Sequence, residues 1–307
     1  MTLAFLSGII LISPTQDEKP ASSAHPKVHV STLASELPGG TGGLEVDAKG
    51  FVYSADFGSK LGAGSKGGDR IFKIDPKDGS HEVFCTALRG ASGNAIGPKG
   101  NFFQSNIGGG FVSRITPEGK AIVFCKTGLK QPVGIIIDKE GTLFVANCGS
   151  NSITEISPEG EAIQFAKSSL LNCPNGIAID SEHNLYVANF SNGDVIKIDW
   201  DGKATKLATL PGNNNGHVVY RDGFLYVVAR SAHQIYRVSL EGEVELIAGS
   251  GKRGHTDGPA LEASFSFPND LAFSPDGKIL YVNENSAIEG PGTDLAPMTV
   301  RSIHLKP

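Results

Sequence analysis

His217, Asp270 and Glu284 are the side chains of this sequence whose types and positions best suit chemistry. An imidazole and two carboxylates are the groups that activate water or carry a proton to a leaving group. Asn175, Asn215 and Asn269 each precede Gly or Asp at the head of an apolar run. Together with Asp270 and Glu284 they form a set of hard oxygen donors, suited to Ca²⁺ or Mg²⁺ rather than zinc. Asp56, Arg230, His233 and His255 lie in flanking segments from which they would contact a substrate. Asn and Asp at strand ends also cap turns through their own backbone. Residues that break the local pattern (Asp56, His217, Asp270, Glu284) therefore carry more weight than Asn106, Asn147 and Asn189, which follow it.

The pattern they break is a sixfold repeat. A short apolar run opens at Gly42, Ser92, Val133, Asn175, Asn215 and Asn269, a basic period of 40 to 42 residues with two insertions. A tight turn follows, then a second run: FVYSAD, NFFQSN, TLFVAN, NLYVAN, FLYVVA and ILYVNE. The third run carries two β-branched residues three apart, from Ile71/Ile74 to Val300/Ile303. Acidic-Gly hairpin signals such as Asp78-Gly79 and Glu159-Gly160 lead to a fourth run in copies one to five. Four short antiparallel strands per period of this length predict propeller blades. The sixth copy ends after its third strand, and KVHVSTL from Lys27 supplies the missing outer one. The expected fold is all-β: a six-bladed β-propeller over 25–307, closed by an N-terminal strand that completes blade six.

In such blades the start of strand one and the end of strand two share a face. All three segments beyond the basic period map to that face: 57–69, 249–267 and 285–297. Long excursions gathered on one rim of a rigid scaffold usually cover a site. The strand-two exits on this face are Asp56, Asn106, Asn147, Asn189, Ala229 and Glu284.

Composition narrows the function classes. The chain has 27 Lys and Arg against 32 Asp and Glu, a net charge of -5, and no basic run, which argues against nucleic-acid binding. Leu3–Ile12 has the length of a signal-peptide apolar region and is too short to span a bilayer. Residues 1–24 are therefore expected to be an export signal or a disordered terminus, which places the protein in a periplasm or outside the cell if the signal is used and in the cytoplasm if not. No other stretch is long enough for a transmembrane helix. Four cysteines cannot staple a chain of 307 residues. Cys85 and Cys125 occupy matching outer-strand sites that splay apart, whereas Cys148 and Cys173 fall on one face of adjacent blades and are candidates for a disulfide.

Pro174-Asn175-Gly176-Ile177 with LYVAN, and Pro268-Asn269-Asp270-Leu271 with SPDGKILYVNE, resemble the senescence marker protein/gluconolactonase family, related to regucalcin, paraoxonases and strictosidine synthase-like proteins. The stretch from Asp257-Gly258 to Phe267-Pro268 also looks like an NHL repeat. The family implies a divalent metal in the channel held by a Glu, Asn residues and an Asp. Carried over, Asn175 and either Asn269 or Asp270 match ligands, while the position of the family's Glu holds Gly42. Glu45 lies close by in sequence, and Glu284 is a substitute from the neighbouring blade. The resemblance implies a metal-assisted hydrolase of a small lactone or ester, with Asn175 and Asp270 as ligands and His217 or Glu284 as base. Two alternatives stay open: an NHL-type binding module for a peptide, glycan or protein, and a propeller lyase using the same groups.

Overall fold

The computed structural model describes residues 28–61, 65–97, 99–287, 289–290 and 292–305. The expected export segment lies outside them. Five four-stranded antiparallel sheets and one five-stranded sheet follow one another along the chain. Each of the first five runs from an inner strand outward in sequence order. Their inner strands are Thr41–Val46, Ala91–Ile96, Pro132–Ile137, Pro174–Ile179 and Asn215–Arg221. Blade six has Leu271–Phe273 innermost, then Ile279–Asn285 and Met298–His304.

His29–Leu37 pairs antiparallel with Met298–His304, His29 opposite His304 and Val30 opposite Ile303. The first strand of the chain thus joins the last, and the ring closes in the manner expected from the incomplete sixth repeat. A further two-residue strand, Gly258–Pro259, pairs with the outer side of His29–Leu37. Asp257 accepts hydrogen bonds from the backbone N–H and hydroxyl of Thr32. The long connection between blades five and six therefore covers the edge that closure would otherwise leave open.

Six apolar clusters hold the ring, each a wedge between two neighbouring sheets. Phe144, Ile153, Leu185 and Ile198 pack blade three on blade four; Val30, Ile235, Phe265 and Leu280 pack blade five on blade six. The alternation of the strands puts one set of residues into the wedge behind and the next into the wedge ahead. In blade two, Ala95 belongs to the wedge with blade three, whereas Asn94, one residue earlier, lies against Gly43 of blade one.

Toward the axis there is no room for side chains. Each of the first five inner strands carries a register shift at the same place, for example between Thr41 and Leu44 and between Pro132 and Ile135. Glycine sits at these shifts. A Cβ on Gly134 would lie 2.1 Å from the Asn175 carbonyl oxygen, and one on Gly176 would lie 2.4 Å from the His217 Cα. Backbone meets backbone there, which only glycine permits. Gly134→Ala is expected to lower stability by about 1–3 kcal/mol, seen as a lower urea midpoint at unchanged m-value.

Candidate active site

The hydrogen-bond register shows which residues of different blades are equivalent. In blade four, Pro174 pairs with Asn189, Gly176 with Ala188 and Ile177 with Val187. In blade five, Asn215 pairs with Ala229 and Val218 with Val227. Asn215 therefore occupies the place of Pro174, and His217 the place of Gly176. In blade six, Leu271 pairs with Val282, which puts Asp270 at the same level. The corresponding residues of blades one to three are Gly43, Gly93 and Gly134. One ring of axial positions thus holds glycine in four blades and His217 and Asp270 in the remaining two, which are neighbours.

Those two side chains meet. His217 Nδ1 lies 3.2 Å from Asp270 Oδ2, and both residues are buried. Asp270 Oδ2 also accepts the Leu44 N–H, and its Oδ1 accepts the Leu271 N–H. The His217 backbone N–H donates to the Asn269 carbonyl. Imidazole and carboxylate are therefore placed by three blades. With the proton on Nδ1 facing Asp270, Nε2 is left as a lone-pair acceptor, and no described residue bonds to it. Burial holds His217 down to about 4. Burial also pushes Asp270 well above its ordinary range, against the pull of the Leu44 and Leu271 N–H groups, and the nearby Glu45 adds to the rise. At neutral pH the imidazole is uncharged and available as a base.

Above this pair opens a cavity of about 170 Å³ to which all six blades contribute, at the axial mouth on the face expected from the long segments. His217, Asn175, Asn269, Thr41 and Ser92 form its polar part. Phe57, Leu61, Ile107, Phe190, Leu295 and the Cys148–Cys173 bridge make an apolar collar. That bridge joins the blade-three rim to the connection entering blade four. Cys85 and Cys125 are free and buried.

The other residues singled out in the sequence have different places. Asn175 lines the cavity and donates to the Asn215 carbonyl, while Asn269, also in the wall, donates to Gly42 and Thr41. Asn215 is one position short of the mouth, and its amide donates to the Asp194 carbonyl of blade four. Its Asn-Gly pair imitates Asn175-Gly176, but the register is displaced by one residue. Glu284 points into blade six rather than the channel. Its oxygens accept Arg301 Nη1 at 2.5 Å, His255 Nδ1 at 3.0 Å and the Ser266 N–H at 2.5 Å. Neither a base nor a metal ligand at the mouth is available from it. His255 is tied to Glu284 and the Ser286 carbonyl, and its pKa is raised, with Glu284 and Ser286 overcoming burial. His233 accepts the Phe267 N–H with Nδ1 and does not line the cavity. Asp56 caps the blade-one rim, accepting from Gly40 and Gly58 N–H groups and facing Arg70. Arg230 does line the cavity, while donating to the Phe267 and Gly292 carbonyls. Asn106 and Asn147 brace the rims by accepting a backbone N–H and donating to a hydroxyl.

The donor set fits a divalent cation poorly. The mouth level offers the amide oxygens of Asn175 and Asn269 but no carboxylate, with Gly42 where the resemblance would place Glu. Both Asp270 oxygens are occupied by N–H donors. Among the described residues no three His, Cys, Asp or Glu side chains are grouped to hold an ion.

Neither protein-family models nor curated proteins match this sequence. Solved structures do. A gluconolactonase from Xanthomonas campestris is 16% identical, over 95% of this chain and 99% of its own, with a TM-score of 0.67. It shares the six-bladed architecture of that enzyme. Virginiamycin B lyase from Staphylococcus aureus, as a catalytically inactive histidine-to-alanine variant with quinupristin, is 17% identical over 91% and 99%, TM-score 0.62. A chain of the nidogen/laminin complex is 16% identical over 72% and 93%, TM-score 0.60. At these identities the likeness is one of fold. No helix among the described residues is long and apolar enough to cross a membrane.

Two measurements check this site. Denatured, unreduced protein is expected to show two reactive thiols, and four after reduction. Glu45, on the inner strand of blade one, is pushed up to about 7 by burial, from an ordinary value near 4.5. The folded chain therefore keeps this proton longer than the unfolded chain, and stability is lost as pH rises through that window. His217 acts in the opposite sense, costing stability as pH falls from about 6.5 toward 4. Glu45→Gln is expected to gain roughly 2 kcal/mol relative to wild type between pH 5 and pH 8. That is less than the full shift implies, because the carboxyl keeps some solvent contact. Urea unfolding at the two pH values reads the difference.

Proposed function

We propose that this propeller hydrolyses a small ester or lactone in its mouth cavity, with His217 as the general base and Asp270 as the residue that positions it. The observation carrying this reading is the pair itself. At the one axial level where four blades have glycine, the other two place a neutral imidazole against a buried carboxyl, under a cavity of substrate size. Perturbed titratable groups converging in a cleft are the usual mark of a catalytic site.

In this reading a water between Nε2 and the substrate carbonyl attacks the carbonyl carbon, and Nε2 takes its proton. The tetrahedral intermediate then breaks its acyl C–O bond, and the imidazolium returns the proton to the leaving alkoxide. Asp270 lies against Nδ1 and fixes the orientation of the imidazole. Burial of the pair excludes competing water from Nδ1, and the apolar collar shields the reacting carbonyl from bulk solvent. The gluconolactonase resemblance supports the substrate class, whereas the departure at Gly42 leads us to base the mechanism on the imidazole alone.

A lyase is the second reading. The inactive histidine variant of the S. aureus lyase shows that a propeller of this shape can depend on one imidazole. His217 would there remove a carbon-bound proton. Turnover of small lactones and aryl esters by purified protein decides the first reading. His217→Gln is expected to lower kcat/KM by about 10²–10⁴ while the thermal unfolding midpoint holds. Activity in wild type should persist to about pH 5 and fall below it as His217 protonates near 4. Undiminished turnover in the variant would remove His217 from the mechanism.

A further inference from the structure

Among the described residues two arginines, Arg230 and Arg301, are fully buried, and their surroundings differ. Arg301 is paired with two carboxylates, Glu284 at 2.5 Å and Asp257 at 2.7 Å. Arg230 is just as buried and has no acidic partner among the described residues. Its guanidinium donates only to backbone: Nη1 to the Phe267 and Pro268 carbonyls, Nη2 to the Gly292 carbonyl. Three of its five N–H donors are accounted for in this way.

A second unpaired cation stands nearby. Arg253 lies 4.7 Å from the centre of the Phe267 ring, and Arg230 lies 5.4 Å from it. Arg253 donates to the carbonyls of Ala287, Glu289 and Gly290 and to the Ser266 hydroxyl, again to no carboxylate. Burial and this neighbour together hold Arg230 down to about 10, so it remains charged at neutral pH. A charge buried without a counter-charge is costly and is retained where something else supplies the balance. Carbonyl dipoles supply part of it here. Arg230 is also the one charged group in the wall of the mouth cavity among the described residues.

We infer that Arg230 is an anion anchor, and that the mouth cavity takes a small, mostly apolar monocarboxylate. Three features select this class. The cationic wall selects a negative group. Arginine's planar fork matches a carboxylate at two points. The collar of Phe57, Ile107, Phe190 and Leu295 selects a compact hydrocarbon and offers little to a polyhydroxylated sugar. The size agrees: an apolar cavity of about 150 Å³ holds benzene, and this one measures about 170 Å³. The inference extends the hydrolase reading, because opening a lactone or ester creates a carboxylate where Arg230 would receive it. It stands apart from that reading in needing no turnover.

Binding alone therefore provides the test, with benzoate and benzyl alcohol as probes of like shape and different charge. Titration calorimetry on the wild-type chain is expected to give one benzoate site, at least about 10-fold tighter than benzyl alcohol. Arg230→Met is expected to erase the preference, while Arg237→Met, at an arginine paired with Glu245 and outside the cavity, keeps it. Equal affinity of the two probes for wild type, no binding of either, or a benzoate preference that survives Arg230→Met would each overturn the inference. If Arg230→Met does not fold, the wild-type comparison decides alone. Benzoate binding without esterase activity would leave the anchor standing and remove the hydrolase; the reverse result would do the opposite.

Discussion

Six inner strands converge on one axis, and their backbones come so close that a methyl group has no space. The Cβ positions of Gly134 and Gly176 fall within 2.4 Å of atoms in the next blade. The layout of the candidate site follows from how that crowding is relieved. Where glycine lines the ring the channel is shut by backbone. Where blades five and six place His217 and Asp270 instead, two side chains must share the space the glycines leave. They are forced together, stripped of water, and held by N–H groups of blades one and six.

The same crowding separates structure from chemistry elsewhere. Polar residues that look alike in sequence end in different surroundings. Asn106, Asn147, Asp56 and Glu284 stand at equivalent strand ends, and all four are consumed by rim contacts. Buried Glu284 and Arg301 have become the hub of a cluster that reaches the partly exposed His255 and Asp257. This cluster fastens the long blade-five connection over the closure strand. A buried carboxylate with three donors gains nothing by turning to the channel, because doing so would leave the buried Arg301 with only the half-exposed Asp257 as counter-charge. Arg230 is the exception to this thrift and marks the side of the mouth where a negative charge is wanted.

The fold was readable in the chain because its determinants are local and repeated. Alternating apolar runs, acidic-Gly turns and β-branched pairs recur at a fixed period, and an incomplete last copy signals closure by the first strand. The face that carries the mouth cavity was readable as well, from the placement of the long segments. The site was only partly so. His217 and Asp270 stood out as breaks in the pattern, but Asn215 appeared to match Asn175 and did not. Its Asn-Gly pair is identical in type, yet Ala229 pairs with Asn215 just as Asn189 pairs with Pro174.

That single-residue displacement divides what each level decides. Six blades, their order, the closing strand and the residues that interrupt the repeat are all legible in the sequence, since each rests on short-range periodicity. The packing of the blades set the rest: that His217 and Asp270 share one axial level, that Glu284 faces an arginine, and that Arg230 is buried with no acidic partner among the described residues. Those facts depend on register and on contacts between separate strands and loops, where a shift of one position exchanges the side chain that faces the channel for the one that faces the wedge.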